Sequence, residues 1–220
     1  MSNELTGRWL RAGLPLVALL GLIFAAAATA DEAGSAYPGF TLTPPAGDDW
    51  RQVQRNAASL VWMKRPHHPN ATFSAAVLTG PTPTRFENRE AFLAYVRRTK
   101  THNPDPRRFQ LRLEAFEPVS APAANCARYR TAIVDLETAR GGQQPLLFRV
   151  TGLACLHPDR PSRYFDVQYS SRAPRGIEPP AADLAAGEAF LSDFELGPPP
   201  ADDRWALGEG GEALPQREQT

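Results

Sequence analysis

The sequence predicts an α+β fold: an antiparallel β-sheet flanked by helices, with one disulfide inside a hairpin. Three observations predict it. The only two cysteines, Cys126 and Cys155, lie on two strand-like runs joined through the turn sequence Arg140-Gly141-Gly142. The register that sets Cys126 opposite Cys155 also sets Ala127 opposite Ala154, Tyr129 opposite Gly152, Thr131 opposite Val150 and Ile133 opposite Phe148, all on one apolar face. The order of elements is hairpins, helix, antiparallel meander, helix, which is the α+β pattern.

Taken in order, Phe40-Thr41-Leu42-Thr43 reads as a short strand stopped by Pro44-Pro45. A turn at Ala46-Gly47-Asp48-Asp49 leads to a second strand from Trp50 to Gln54, and Asn56-Ala57-Ala58 turns the chain into Leu60-Val61-Trp62-Met63. A loop from Arg65 to Asn70 precedes the longer run from Phe73 to Leu78, which Gly80-Pro81 ends. The periodicity then changes. Phe92, Tyr95 and Val96 share one helical face, with Leu93 beside it. Asn88 is the expected N-cap, Glu90 suits the first turn, and Arg97, Arg98 and Lys100 suit the last. Asn103-Pro104 ends this helix. Phe109 to Ala115 alternates as a half-buried strand, the cysteine hairpin follows, and Tyr164 to Tyr169 alternates again. Pro179-Pro180 opens a second helix through Leu184, Gly187, Phe190 and Leu191, and Phe194-Glu195-Leu196 adds a last short strand.

The two ends read differently from the body. Residues 1–30 have the three parts of a secretory signal peptide: Arg8 and Arg11, an apolar run from Leu14 to Ala27, and Ala28-Thr29-Ala30 before a cleavage point at Asp31. An uncleaved anchor is the alternative, since the uncharged run from Ala12 to Ala30 approaches the length of a membrane span. After cleavage the protein is expected to be periplasmic or secreted, with no stable membrane insertion. Residues 31–196 then form a single domain. In an exported chain, the facing cysteines are expected to form a structural disulfide; no C-x-x-C pattern favours redox chemistry. Residues 197–220, opened by Gly197-Pro198-Pro199-Pro200 and rich in Gly, Pro and acids, read as a disordered tail. The body is nearly neutral, which argues against nucleic acid as a partner.

The chain resembles the PsbP-like group, which includes the photosystem II extrinsic protein PsbP, the Ran-binding Mog proteins and many small bacterial exported proteins. The resemblance rests on Tyr37-Pro38-Gly39-Phe40-Thr41-Leu42, a Pro-rich turn, Trp50 and a second hairpin. It continues with a mid-chain helix near Phe86 to Leu93, a meander, and a closing helix before Phe194-Glu195-Leu196. It covers residues 37–196 in element order and texture, without a shared motif. It implies an α/β/α sandwich used as a non-catalytic binding or assembly module, and carries over no site residue.

No G-x-S-x-G, H-E-x-x-H, Walker loop or G-x-G-x-x-G occurs, so neither an enzyme nor a cofactor is expected. His67 and His68 are adjacent and point apart along an extended loop, and His102 and His157 are distant in sequence, so no metal site is expected. Asn70-Ala71-Thr72 matches a glycosylation sequon. The candidate anion site is Arg128, Arg130 and Arg149, which the hairpin register places together on the face opposite the apolar one. A solvated face balanced by Glu114 and Asp166 is the plainer reading. The expected function is an exported, non-catalytic domain that acts as a binding or assembly accessory of the cell envelope, its partner an envelope protein. The alternative is a small-molecule or anion binder with a groove between the first helix and the sheet. An unrecognised hydrolase is the third reading, since a triad is defined by geometry.

Overall fold

The structure, a computed structural model, describes residues 35–47, 49–64, 71–82, 85–102, 105–121, 124–137, 144–202, 204–205 and 207. The expected signal peptide (residues 1–30), the His67-His68 pair, the sequon's Asn70, the expected helix stop at Asn103-Pro104, the expected turn at Arg140-Gly141-Gly142 and the residues beyond Leu207 lie outside them. Among the described residues, two antiparallel sheets and two helices make up the fold, which is mostly β. The larger sheet has seven strands: β3 (Trp50–Asn56), β4 (Ser59–Lys64), β5 (Thr72–Pro81), β9 (Arg160–Pro174), β8 (Leu146–His157), β7 (Ala124–Asp135) and β6 (Phe109–Ala121), in that spatial order. The smaller has three: β1 (Ser35–Tyr37), β2 (Phe40–Leu42) and β10 (Glu195–Leu196), with β2 central. No helix among the described residues is long and apolar enough to cross a membrane.

The hairpin β7–β8 has the register that the cysteines predict, from Asn125 opposite Leu156 to Asp135 opposite Leu146 without a break. Cys126 and Cys155 are disulfide-bonded. Because they lie 29 residues apart, the bond closes a loop whose lost unfolded-state entropy is worth about 3.5 kcal/mol. Strand β9 continues five residues past Tyr169, where the hydrophobic alternation gives way to Ser170 and Ser171. Both serines are buried, and the Ser170 hydroxyl meets that of Ser74 on β5 at 2.8 Å. Strand β5 runs through Gly80 to Pro81 because β4 stops pairing with it at Leu78, so the proline's missing N–H is not needed on that side.

Helix α1 (Arg89–Thr101) is capped as expected, Ala91 N donating to the Asn88 side chain at 2.8 Å. It lies over β6 and β7 on the face that carries Ala127 and Tyr129. Phe92 and Val96 are buried there against Ala127, Tyr129, Val150, Ala154 and Leu156. Helix α2 (Ala181–Ser192) begins after Pro180 and lies over β9 and β5 on the opposite face, with Phe190 against Trp62. The three-stranded sheet shares that second face: Phe40 meets Phe165 and Phe194, and Leu42 is buried in the same cluster as the disulfide. Each buried aromatic or leucine there contributes about 1.5–3 kcal/mol.

Two expectations need correction. The helices flank the sheet only in part: each covers a few strands, the three-stranded sheet fills part of the second face, and Met63 and Leu78 on the α1 face of β4 and β5 stay exposed. The described residues between 197 and 207 are also not a disordered tail. Trp205 and Leu207 are buried, because an indole and an isobutyl group find the open end of the core cluster there. Leu207 N donates to Ala57 O at 3.3 Å, and Arg55 Nε donates to Leu207 O at 3.0 Å.

Candidate functional site

The apolar face of the β7–β8 hairpin is longer than the helix above it. A helix of 13 residues rises about 20 Å, whereas the 12 residues of β8 extend about 40 Å. Helix α1 therefore covers the Tyr129–Ala154 half and ends at Thr101, leaving the Ile133–Phe148 half open. The result is a groove of about 540 Å³ at the helix's C-terminal end, within the usual size range of ligand clefts. Phe109, Leu111, Ile133, Leu146 and Phe148 give it an apolar floor, Thr101 and His102 one wall, and Arg108, Asp135 and Arg172 its charged groups. Leu111 and Phe148 are more than a third exposed, which is unusual for large side chains facing a helix-covered layer.

The charged groups are arranged by the strand ends. Asp135 is the last residue of β7, on the same face as Ile133, and is buried. Arg108 precedes β6 and grips it with two hydrogen bonds, Nε to Oδ1 at 3.1 Å and Nη2 to Oδ2 at 3.0 Å. Glu137 N adds a third at 3.0 Å. The Arg108 bond, then the Glu137 N–H, outweigh burial and hold the Asp135 carboxyl below the usual range; the same bond raises Arg108. Arg172 on β9 stands opposite Phe148 and 3.9 Å from Asp135 Oδ2.

Beneath the covered half lies a second polar group. Asp166 is buried and ion-paired with Lys100 of α1, and Tyr129 donates its hydroxyl to Asp166 Oδ1 at 2.7 Å. The Tyr129 oxygen is also 2.8 Å from Gln168 Oε1, and Lys100 Nζ stands 4.7 Å from the Tyr129 ring centre. Burial, then the nearby Asp166 charge, push the Tyr129 hydroxyl well above its ordinary range, and Tyr164 likewise. This group fastens the last turn of α1 to the sheet and so fixes one wall of the groove.

The three arginines singled out in the sequence lie on the other face, with the cysteines. Arg128 is ion-paired with Glu188 of α2 and Arg149 with Glu178, while Arg130 is exposed and makes no ion pair among the described residues. Glu188 also accepts a 2.9 Å hydrogen bond from Tyr169. The balancing acids come from α2 and the segment before it, whereas Glu114 and Asp166 lie on the α1 face by strand parity. His157 is buried elsewhere: its Nδ1 accepts from Asp159 N at 3.2 Å, so Nε2 carries the proton donated to Gly197 O at 2.9 Å. His102 lines the groove. Among the described residues, no three His, Cys, Asp or Glu side chains are grouped to hold a metal ion.

The groove residues Arg108, Asp135 and Arg172 are not in the sequence reading. Asp135 had a signal: a carboxylate at an inward-facing position of an alternating strand needs a partner. Arg172 had none, because the serines before it conceal that β9 continues. The chain matches no protein-family model and none of the curated proteins.

Proposed function

We propose that this is an exported, non-catalytic binding domain of the cell envelope, and that its site is the groove at the end of α1. The groove is the observation that carries the reading: a concave, largely apolar floor with a few convergent polar groups, next to a helix end fixed by buried polar contacts. The signal-peptide pattern and the disulfide support an oxidising compartment. The PsbP-like resemblance supports a binding role over catalysis.

Thermal melts of the purified protein against a panel of small amphipathic molecules test this. Occupancy at about a hundred times Kd adds about 2.7 kcal/mol, or roughly 5–10 °C for a domain of this size. Phe148→Asp, at a half-exposed floor position, is expected to remove the shift without lowering the unliganded melting temperature much. A panel that never raises the melting temperature, or hits that F148D binds equally well, would overturn the proposal. An assembly role with an envelope protein is the second reading. It is favoured by the exposed Met63 and Leu78, which lie on the part of the α1 face that neither described helix covers.

A further inference from the structure

We infer that the groove takes a small amphipathic carboxylate, whose acid group is received by Arg172 and whose apolar body lies on Phe148. The inference rests on the groove being the binding site and adds the chemical class of its ligand. The polar groups that line the groove are not equally available. Asp135 is already engaged by donors: Oδ1 accepts from Arg108 Nε and from Glu137 N, and Oδ2 accepts from Arg108 Nη2. It therefore has no call for a cationic ligand. Arg108 is committed in turn, holding Asp135 with two donors and standing 3.8 Å from Glu137.

Arg172 differs. Its closest carboxylate oxygen among the described residues is Asp135 Oδ2 at 3.9 Å, beyond hydrogen-bond length, and its side chain is 45% exposed. A guanidinium has five N–H donors in a planar fork, which matches the two oxygens of a carboxylate. The backbone points this fork at the floor of the groove, because Arg172 pairs with Phe148 across β8–β9 and so shares its face. A ligand whose acid meets Arg172 has its body over Phe148, with Ile133 and Leu146 next on β7 and β8. Burying that body supplies the affinity, and the fork supplies the preference for an acid.

Two negative features face an acid there: the Asp135 carboxylate, which Arg108 offsets, and the C-terminus of α1, which points at the groove. The threonines of its last turn soften this. Thr99 Oγ1 donates to the carbonyls of Tyr95 and Val96 at 3.1 and 2.9 Å, and Thr101 Oγ1 donates to that of Arg97 at 2.8 Å. Arg98 in the same turn adds positive charge, while that of Lys100 is taken up by Asp166.

Calorimetric titration of the full protein with decanoate and with phenylbutyrate, each against its own primary amide, tests the inference. The acids are expected to bind about tenfold or more tighter than the amides, the margin of charge-assisted hydrogen bonds. Arg172→Gln should weaken the acids by that factor and bring acid and amide level. Arg172→Lys should keep part of the preference, since a lysine has charge without the fork. Unliganded melts of both variants confirm folding, which Arg172 has no short hydrogen bond to influence. If acid and amide bind wild type equally and both are lost in F148D, the carboxylate inference is overturned while the groove stands as the site. If an acid preference persists in R172Q, Arg172 is not the receptor and the inference is overturned. If neither acid nor amide binds wild type, the groove reading falls with it.

Discussion

Tyr129 occupies the space where a side chain on Gly152 would stand. A Cβ built at Gly152 falls 2.4 Å from the Tyr129 ring and hydroxyl, so the ring lies flat across the facing strand. From there its hydroxyl reaches Asp166, one strand further on. Gly152→Ala is expected to push the ring off this seat at a cost of about 1–3 kcal/mol, the range for overpacking a filled core. Withdrawing a donor from buried Asp166 adds to that cost. In a Tyr129→Leu background the same alanine should cost far less, and urea melts of the four proteins give the coupling directly. Equal costs in both backgrounds would mean that the ring yields freely. The pairing of Tyr129 with Gly152 is legible in the sequence because cysteine position and alternation agree on it. The hydroxyl's partner is not, since it depends on which strand lies beside β8.

Arg108 and Asp135 act at the scale of elements, fastening the segment that enters β6 to the end of β7. The sign of their pH dependence follows from the lowered Asp135 carboxyl. A carboxyl that is more acidic when folded contributes stability above its unfolded value, about 3.9, and loses it as pH falls through the folded one. Wild type should therefore exceed Asp135→Asn in stability at neutral pH, and the gap should narrow below about pH 4. Denaturant melts from neutral to acid pH measure it; a gap that stays constant would show that the pair contributes no pH-dependent stability. Helix boundaries and the hairpin register are legible because caps and periodicity are local signals. Strand β1 is not, because its three residues are held by β2, which is packed on Phe165 and Phe194 of a distant part of the chain. The partial cover of the sheet is a matter of length: α1 is too short for the apolar face it sits on, and the groove is what remains.

At the scale of the molecule, both ends of the described chain close on one core. Gly39 turns the β1–β2 hairpin with φ +82°, a conformation that favours glycine, and the Trp205 ring lies where a Cβ there would stand. Gly197 N donates to Gly39 O at 3.0 Å, and Gly197 O accepts from His157 at 2.9 Å. Trp205 sits against His157 and Phe165, at ring distances of 5.1 and 6.0 Å, with the Arg163 guanidinium 5.0 Å from its ring centre. Composition places this tryptophan in a tail of glycine, proline and acids, and composition cannot register one large ring among many small residues. The indole covers the end of the larger core cluster, so the segment after β10 works as a strap across both sheets. Trp205→Ala is expected to cost about 3–5 kcal/mol, as for other buried aromatic truncations, and Trp205→Phe a good deal less. Guanidinium melts of the three proteins, with the disulfide intact, decide the matter. A loss comparable to a core truncation makes residues 197–207 part of the folded domain in energy as well as in position. A loss below about 0.5 kcal/mol, the range of ordinary surface substitutions, would mean that the strap lies on a core that is already complete without it.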